Sequence, residues 1–159
     1  DTNNPKLDNA IICAGGGGLT AGSCISIKHI NPDCNIYTAE PSEWNDHQQS
    51  FEKNERVSMD VNRSGLCDGL LTPTPGKIPF AINQYYGVSG LSAPDQMICE
   101  AMSFAFNRLN LKLEPSGAVA LACLLANKEQ FKESRTLVML SGGNVDEETF
   151  SRCLDQASD

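Results

Sequence analysis

Positive charge is what this sequence has least of. Twelve Lys and Arg stand against 20 Asp and Glu, and the formal net charge is -8. That balance argues against nucleic acid and against an anionic membrane surface as partners. Any anion site must then be local, built from backbone dipoles rather than from a basic patch. Long apolar runs are also missing. None approaches membrane-spanning length and no secretory signal is legible, so no membrane partner and a cytoplasmic location are expected. The seven cysteines (Cys13, Cys24, Cys34, Cys67, Cys99, Cys123, Cys153) lack metal-ligand spacing. Their number is odd and several sit in apolar runs, which suits free thiols in a reducing compartment rather than a disulfide scaffold. Asn62-Arg63-Ser64 fits a glycosylation sequon, but without secretory signs it reads as chance. Repeats, low-complexity tracts and internal linkers are absent, so residues 1–159 are expected to form a single domain.

What is present is one conspicuous stretch. Ile11-Ile12-Cys13-Ala14 is apolar, Gly15-Gly16-Gly17-Gly18 follows, and Leu19-Thr20-Ala21-Gly22 opens a helical pattern. Strand, glycine loop and helix in that order form an anion site. Glycine admits backbone angles that a β-carbon forbids, and the helix start offers unpaired N–H groups and the positive end of its dipole. A Walker A loop is excluded, because no Gly-Lys-Ser/Thr follows. A dinucleotide fingerprint is excluded too: counted from Gly15 the last glycine would fall on Thr20, and counted from Gly17 Leu19 breaks it. A single phosphate is the ligand that remains. A glycine-rich turn without a ligand is the plain alternative.

Taken in order, Asp1–Leu7 reads as a polar lead-in and Asn9–Ala14 as a strand. Leu19–Ile30 is a helix stopped by Asn31-Pro32-Asp33, and Asn35–Ala39 is a second strand. A βαβ unit of this length makes the two strands parallel. Asn45–Val57 is polar, a solvated helix. Asn62–Pro79 is a long Gly- and Pro-rich loop. Ser92 caps a helix that begins at Pro94-Asp95, with Met97, Ala101, Phe104, Ala105 and Leu109 on its apolar face. Pro115–Asn127 is a buried Ala- and Leu-rich helix, Thr136–Leu140 the clearest strand and Glu147–Gln156 the closing helix. His29 and His47 read as surface residues. The fold class is α/β: a three-layer αβα arrangement on an open, mostly parallel sheet. Its strands end in the glycine loop, in Glu40-Pro41 and in Ser141-Gly142-Gly143-Asn144, and ligands bind beyond the carboxyl ends of such strands. The three ends are expected to converge on one crevice.

Five motifs stand in a fixed order: Ala14-Gly15-Gly16-Gly17-Gly18-Leu19-x-x-Gly22, Ala39-Glu40-Pro41, Cys67-Asp68-Gly69, Glu114-Pro115-Ser116-Gly117-Ala118 and Leu140-Ser141-Gly142-Gly143-Asn144-Val145-Asp146. In that order they resemble the serine/threonine dehydratases and serine racemases, pyridoxal-phosphate enzymes of the tryptophan-synthase-β-like fold. The resemblance covers nearly the whole chain. The segment Cys67 to Gly76 is more similar to the bacterial threonine dehydratase branch than to the animal racemases. The resemblance implies that the backbone of Gly15, Gly16, Gly17, Gly18 and Leu19 holds the cofactor phosphate, that Ser141 faces the pyridine nitrogen, and that Glu114 lies near the ring. It also implies a divalent cation, magnesium or calcium, held by Glu40, the Trp44 carbonyl and Asp46, an oxygen set suited to a hard cation. In many relatives the middle residue is small, and Trp44 departs from that.

The same resemblance implies what this chain does not carry. The family's Schiff-base lysine and its substrate-carboxylate loop lie upstream of the glycine loop. None of Lys6, Lys28, Lys53, Lys77, Lys112, Lys128 or Lys132 has the required context. The chain is therefore expected to be the C-terminal half of an enzyme, inactive alone, with no catalytic residue of its own and completed by the N-terminal half. The implied reaction is dehydration and deamination of L-threonine or L-serine to a 2-keto acid and ammonia, in a homodimer. Serine racemase, or an incomplete subunit that only binds phosphate, are the alternatives.

Overall fold

The computed structural model describes residues 6–60 and 64–157. Most of the lead-in (1–5) and Asn62 and Arg63 of the sequon lie outside the described residues. Four strands form one sheet, β1 (Asn9–Cys13), β2 (Asn35–Pro41), β3 (Ser89–Ala93) and β4 (Thr136–Val138), in the order β3-β2-β1-β4. All three pairings are parallel. The helices are α1 (Gly18–Ile30), α2 (Asp46–Lys53), α3 (Lys77–Tyr85), α4 (Asp95–Leu109), α5 (Pro115–Ala126) and α6 (Glu147–Gln156).

The two-residue period of β1 explains the layers. Ile11 and Cys13 point to one face, where they join Ile98 and Met102 of α4, Val119 and Cys123 of α5, and Phe150 of α6. Ala10 and Ile12 point to the other face, with Cys24 and Ile27 of α1 and Phe51 of α2. A parallel strand covered on both sides reads as a continuous apolar run, and all five residues of β1 are buried. Each fully buried Ile or Met of this core contributes about 1.5–3 kcal/mol relative to exposure. α5 is apolar all round because the sheet lies on one side of it and α4 on the other. The three-layer αβα arrangement is as expected.

Several expectations need correction. Ser92 does not cap a helix: Ser89–Ala93 is the edge strand β3, and Pro94 stands at the N-cap of α4 with no side-chain cap. The Gly/Pro-rich loop ends at Gly76, where α3 begins, and it contains a short 3-10 turn at Asp68–Leu70. The helix expected over 45–57 is shorter and not solvated all round, since Asp46, His47 and Ser50 are buried on it. The last strand stops at Val138, although Met139 N–H still donates to the Ile11 carbonyl (3.0 Å).

The sheet order creates a switch point. From β1 the chain passes through α1 to β2 on one side, while β4 arrives on the other side of β1. Connections leaving β1 and β4 in opposite directions open a crevice at their carboxyl ends.

Candidate functional site

That crevice is a cleft of about 340 Å3, lined by Cys13, Gly15, Gly16, Gly17, Gly18, Leu19, Gly69, Leu70, Glu114, Ser116 and Ser141. The glycine loop enters it from β1, Ser141 from β4 and Glu114 from the start of α5.

Four contacts hold the loop. Ala14 N–H donates to the Ala39 carbonyl (3.0 Å) and Gly76 N–H to the Gly16 carbonyl (2.9 Å). The Thr20 hydroxyl donates to the Cys13 carbonyl (3.2 Å) and ties the first turn of α1 to the end of β1. His47 Nε2 lies 2.9 Å from the Gly15 carbonyl. Because a carbonyl only accepts, Nε2 carries the proton. Gly17 is the N-cap of α1 at φ 87°, a left-handed conformation, and no side chain caps the helix. A β-carbon there would run into the His47 ring. The first N–H groups of α1 thus have no intrahelical partner and face the cleft with the positive end of the helix dipole. At Gly16 and Gly18 a β-carbon would meet nothing within 4 Å, so the loop leaves open space above its backbone. A phosphate fits this cradle.

Across the cleft, Ser141 Oγ lies 3.1 Å from Cys13 Sγ. The Glu114 carboxylate accepts from Asn144 N–H (2.9 Å), and Glu114 N–H donates to the Gly142 carbonyl (3.1 Å). A β-carbon on Gly142 would strike that carboxylate, so the Ser141-Gly142-Gly143 turn and Glu114 fit each other closely. Ser116 Oγ accepts from Gly69 N–H (3.0 Å), which fixes the Asp68–Leu70 turn on the rim.

Glu40 and Asp46 do not join this cleft; the expectation that all three strand ends converge is corrected here. On β2 the side chain after Ala39 turns to the opposite face. There the Glu40 carboxylate accepts from His47 N–H (2.8 Å) and Gln48 N–H (2.9 Å) at the start of α2. Glu40 and Asp46 are fully buried. Burial, and the nearness of Asp46, push the Glu40 carboxyl well above the usual range. Burial pushes Asp46 up to about 7. Both Asp46 carboxylate oxygens are buried without a hydrogen-bond partner. Trp44 is 2% exposed at the same corner. Among the described residues no three His, Cys, Asp or Glu side chains form a metal-ligand group. The corner brings two buried carboxylates together, and their mutual repulsion and the orphaned oxygens are what a divalent cation would relieve.

His47 corrects the surface reading given above: it is fully buried and supports the glycine loop from below, whereas His29 is exposed. Burial lowers His47 to about 4, so the ring is neutral. Sequence reasoning also passed over Cys13 and Ser116. The alternation of β1 was the signal for Cys13, and the Glu-Pro-Ser-Gly motif the signal for Ser116.

A family model described as pyridoxal-phosphate dependent enzyme matches residues 1–142. The chain is 35% identical over 150 residues to a serine racemase of Schizosaccharomyces pombe, covering 94% of this chain and 46% of that protein. It is 33% identical over 148 residues to an L-threo-3-hydroxyaspartate ammonia-lyase of Pseudomonas, covering 93% and 46%. The processed form of threonine deaminase isoform 2 from Solanum lycopersicum superposes with a TM-score of 0.90 at 26% identity, over 99% of this chain and 46% of that one. The chain spans about half the length of the relatives it matches. No helix among the described residues is long and apolar enough to cross a membrane.

Proposed function

This chain belongs to the pyridoxal-phosphate-dependent enzymes, and from that premise we propose that it is the C-terminal, single-domain part of an ammonia-lyase acting on L-threonine or L-serine. The observation that carries the reading is the cleft at the ends of β1 and β4, which gathers the glycine loop, the α1 N-terminus, Glu114 and Ser141. The N–H groups of Gly15, Gly16, Gly17, Gly18 and Leu19 hold the cofactor phosphate, with no basic side chain needed. The Ser141 hydroxyl binds the pyridine nitrogen. Being neutral, it does not hold that nitrogen protonated, which suits loss of a β-hydroxyl over other outcomes. Glu114, locked to the Asn144 amide, borders the ring. Pyridoxal phosphate, when bound, supplies the electron sink that makes the α-proton of an amino acid labile. The lysine that carries the cofactor and moves that proton belongs to the N-terminal half, so this chain by itself is inactive. Glu40, the Trp44 carbonyl and Asp46 hold a magnesium or calcium ion as a structural support of α2. The whole enzyme assembles as a homodimer.

Serine racemase is the second reading, favoured by the 35% identity to such an enzyme. One assay separates them. The whole protein, loaded with pyridoxal phosphate and given L-threonine or L-serine, is expected to release a 2-keto acid and ammonia. D-serine without keto acid would replace the lyase reading with the racemase. Phosphate binding with neither product would leave only a binding module.

A further inference from the structure

We propose that Cys13 is a positioning residue for Ser141: its thiol donates to Ser141 Oγ and thereby turns the Ser141 hydroxyl proton into the cleft, as a donor toward the cofactor's ring nitrogen. The inference rests on the reading that Ser141 faces that nitrogen, and it adds a residue which that reading does not need.

Cys13 is the last residue of β1, and Ser141 follows β4. The two strands are neighbours in parallel register, Ile11 opposite Val138, and the Met139–Ile11 hydrogen bond carries the pairing toward the cleft. Their side chains meet at 3.1 Å across the switch point of the sheet, 128 residues apart in the chain. Cys13 is only 6% exposed, and it borders the cleft beside Ser141.

Either group can donate across this contact, and donation by the thiol is the arrangement that leaves the Ser141 proton free. A hydroxyl oxygen is a good acceptor with two lone pairs, whereas a thiol is a weak donor and its sulfur a weak acceptor. The thiol must keep its proton for this to work. Burial pushes the Cys13 thiol up and outweighs the lowering by the Ser141 contact, and the Glu114 carboxylate adds a small further rise. At neutral pH Cys13 is therefore S–H. With one lone pair of Ser141 Oγ receiving that proton, the single O–H of Ser141 is free to point outward. The result is a chain of neutral donors, S–H to O–H to an aromatic nitrogen. It orients the serine without placing a charge behind it. A carboxylate at position 13 would instead accept from Ser141 and turn the hydroxyl proton away from the ring.

The test uses the whole enzyme and has two readouts that do not depend on turnover: the affinity for pyridoxal phosphate by fluorescence titration, and the ring-nitrogen chemical shift of 15N-labelled pyridoxal phosphate. Cys13→Val keeps an apolar side chain of similar size and removes the donor. Cys13→Ala does the same with less bulk, and Cys13→Ser restores a donor. The expected result is a roughly two- to tenfold loss of cofactor affinity in the Val and Ala variants, the span of one neutral hydrogen bond. A displaced nitrogen shift should accompany it, and both should recover in Cys13→Ser. In a Ser141→Ala background, Cys13→Ala should add nothing. If Cys13→Ala leaves the nitrogen shift where it was while Ser141→Ala moves it, Cys13 is only packing and the proposal fails with the Ser141 reading intact. Equal losses in Cys13→Ser and Cys13→Ala would overturn it in the same way. If Ser141→Ala itself moves neither readout, the Ser141 reading falls and takes this proposal with it. Should Cys13→Val fail to fold, the Ala and Ser pair decides.

Discussion

The buried pair Glu40 and Asp46 gives a prediction whose sign is unusual. Burial pushes the Asp46 carboxyl up from the ordinary 3.8 to about 7. A carboxylate raised in this way favours the protonated folded state. Its contribution to stability is therefore full below the unfolded value and is lost as pH rises through the folded one. Glu40 is raised as well, so the cation-free fold should weaken between mildly acidic and mildly alkaline pH. A divalent cation reverses this. If it binds the ionised pair as proposed, its stabilisation should appear on the alkaline side and fade as protons compete for the same oxygens. At roughly 100 times its Kd, a ligand that binds only the folded state adds about 2.7 kcal/mol. For a chain of this size that is a rise in Tm of roughly 5–10 °C, at about 2–4 °C per kcal/mol. The assay is differential scanning fluorimetry in chelator, then with magnesium or calcium, at about pH 6 and about pH 8, since metal and proton compete for the same ligands. Asp46→Asn removes the charge but keeps the shape. In chelator at the alkaline pH it should melt above wild type, and the cation should leave it unmoved. An equal cation increment in wild type and Asp46→Asn, or an increment that does not change between the two pH values, would refute the reasoning and put the ion elsewhere.

Three further outcomes are expected. Gly17→Ala should destabilise by about 1–3 kcal/mol for the left-handed backbone alone, more with the His47 ring displaced, and should weaken pyridoxal phosphate binding; a urea melt and a cofactor titration read the two effects. Gly142→Ala should push the Glu114 carboxylate from its seat on the Asn144 amide, and a crystal structure or the Asn144 amide shift would reveal it. Ile98→Ala, in the fully buried face of α4, should cost about 2–5 kcal/mol by cavity formation while leaving the cofactor affinity per folded molecule unchanged.

Local physics made much of this protein legible from its sequence. β1 announced itself as an apolar run because both faces of a parallel strand are covered. The glycine loop and the start of α1 were legible because their signal is contained in eight adjacent residues, Gly15 to Gly22. Pro115 to Asn127 read as a buried helix from composition alone, and the helix runs Pro115–Ala126. The limits were equally physical. Ser89–Ala93 has little apolar or β-branched content, and it is a strand only because β2 offers it an edge to pair with. His47 looked like a surface residue in a polar stretch; α2 turns that side of the helix toward the glycine loop, and no local pattern records where a helix will dock. Glu40 seemed to belong to the same crevice as Ser141, but one step of strand alternation sends it to the other face of the sheet. The contact between Cys13 and Ser141 depends on β4 pairing with β1 across 128 residues of chain. Sequence proximity can specify a strand, a loop or a cap. Which strands become neighbours is settled by how the helices cover both faces of the sheet, and that is where the two halves of this cleft meet.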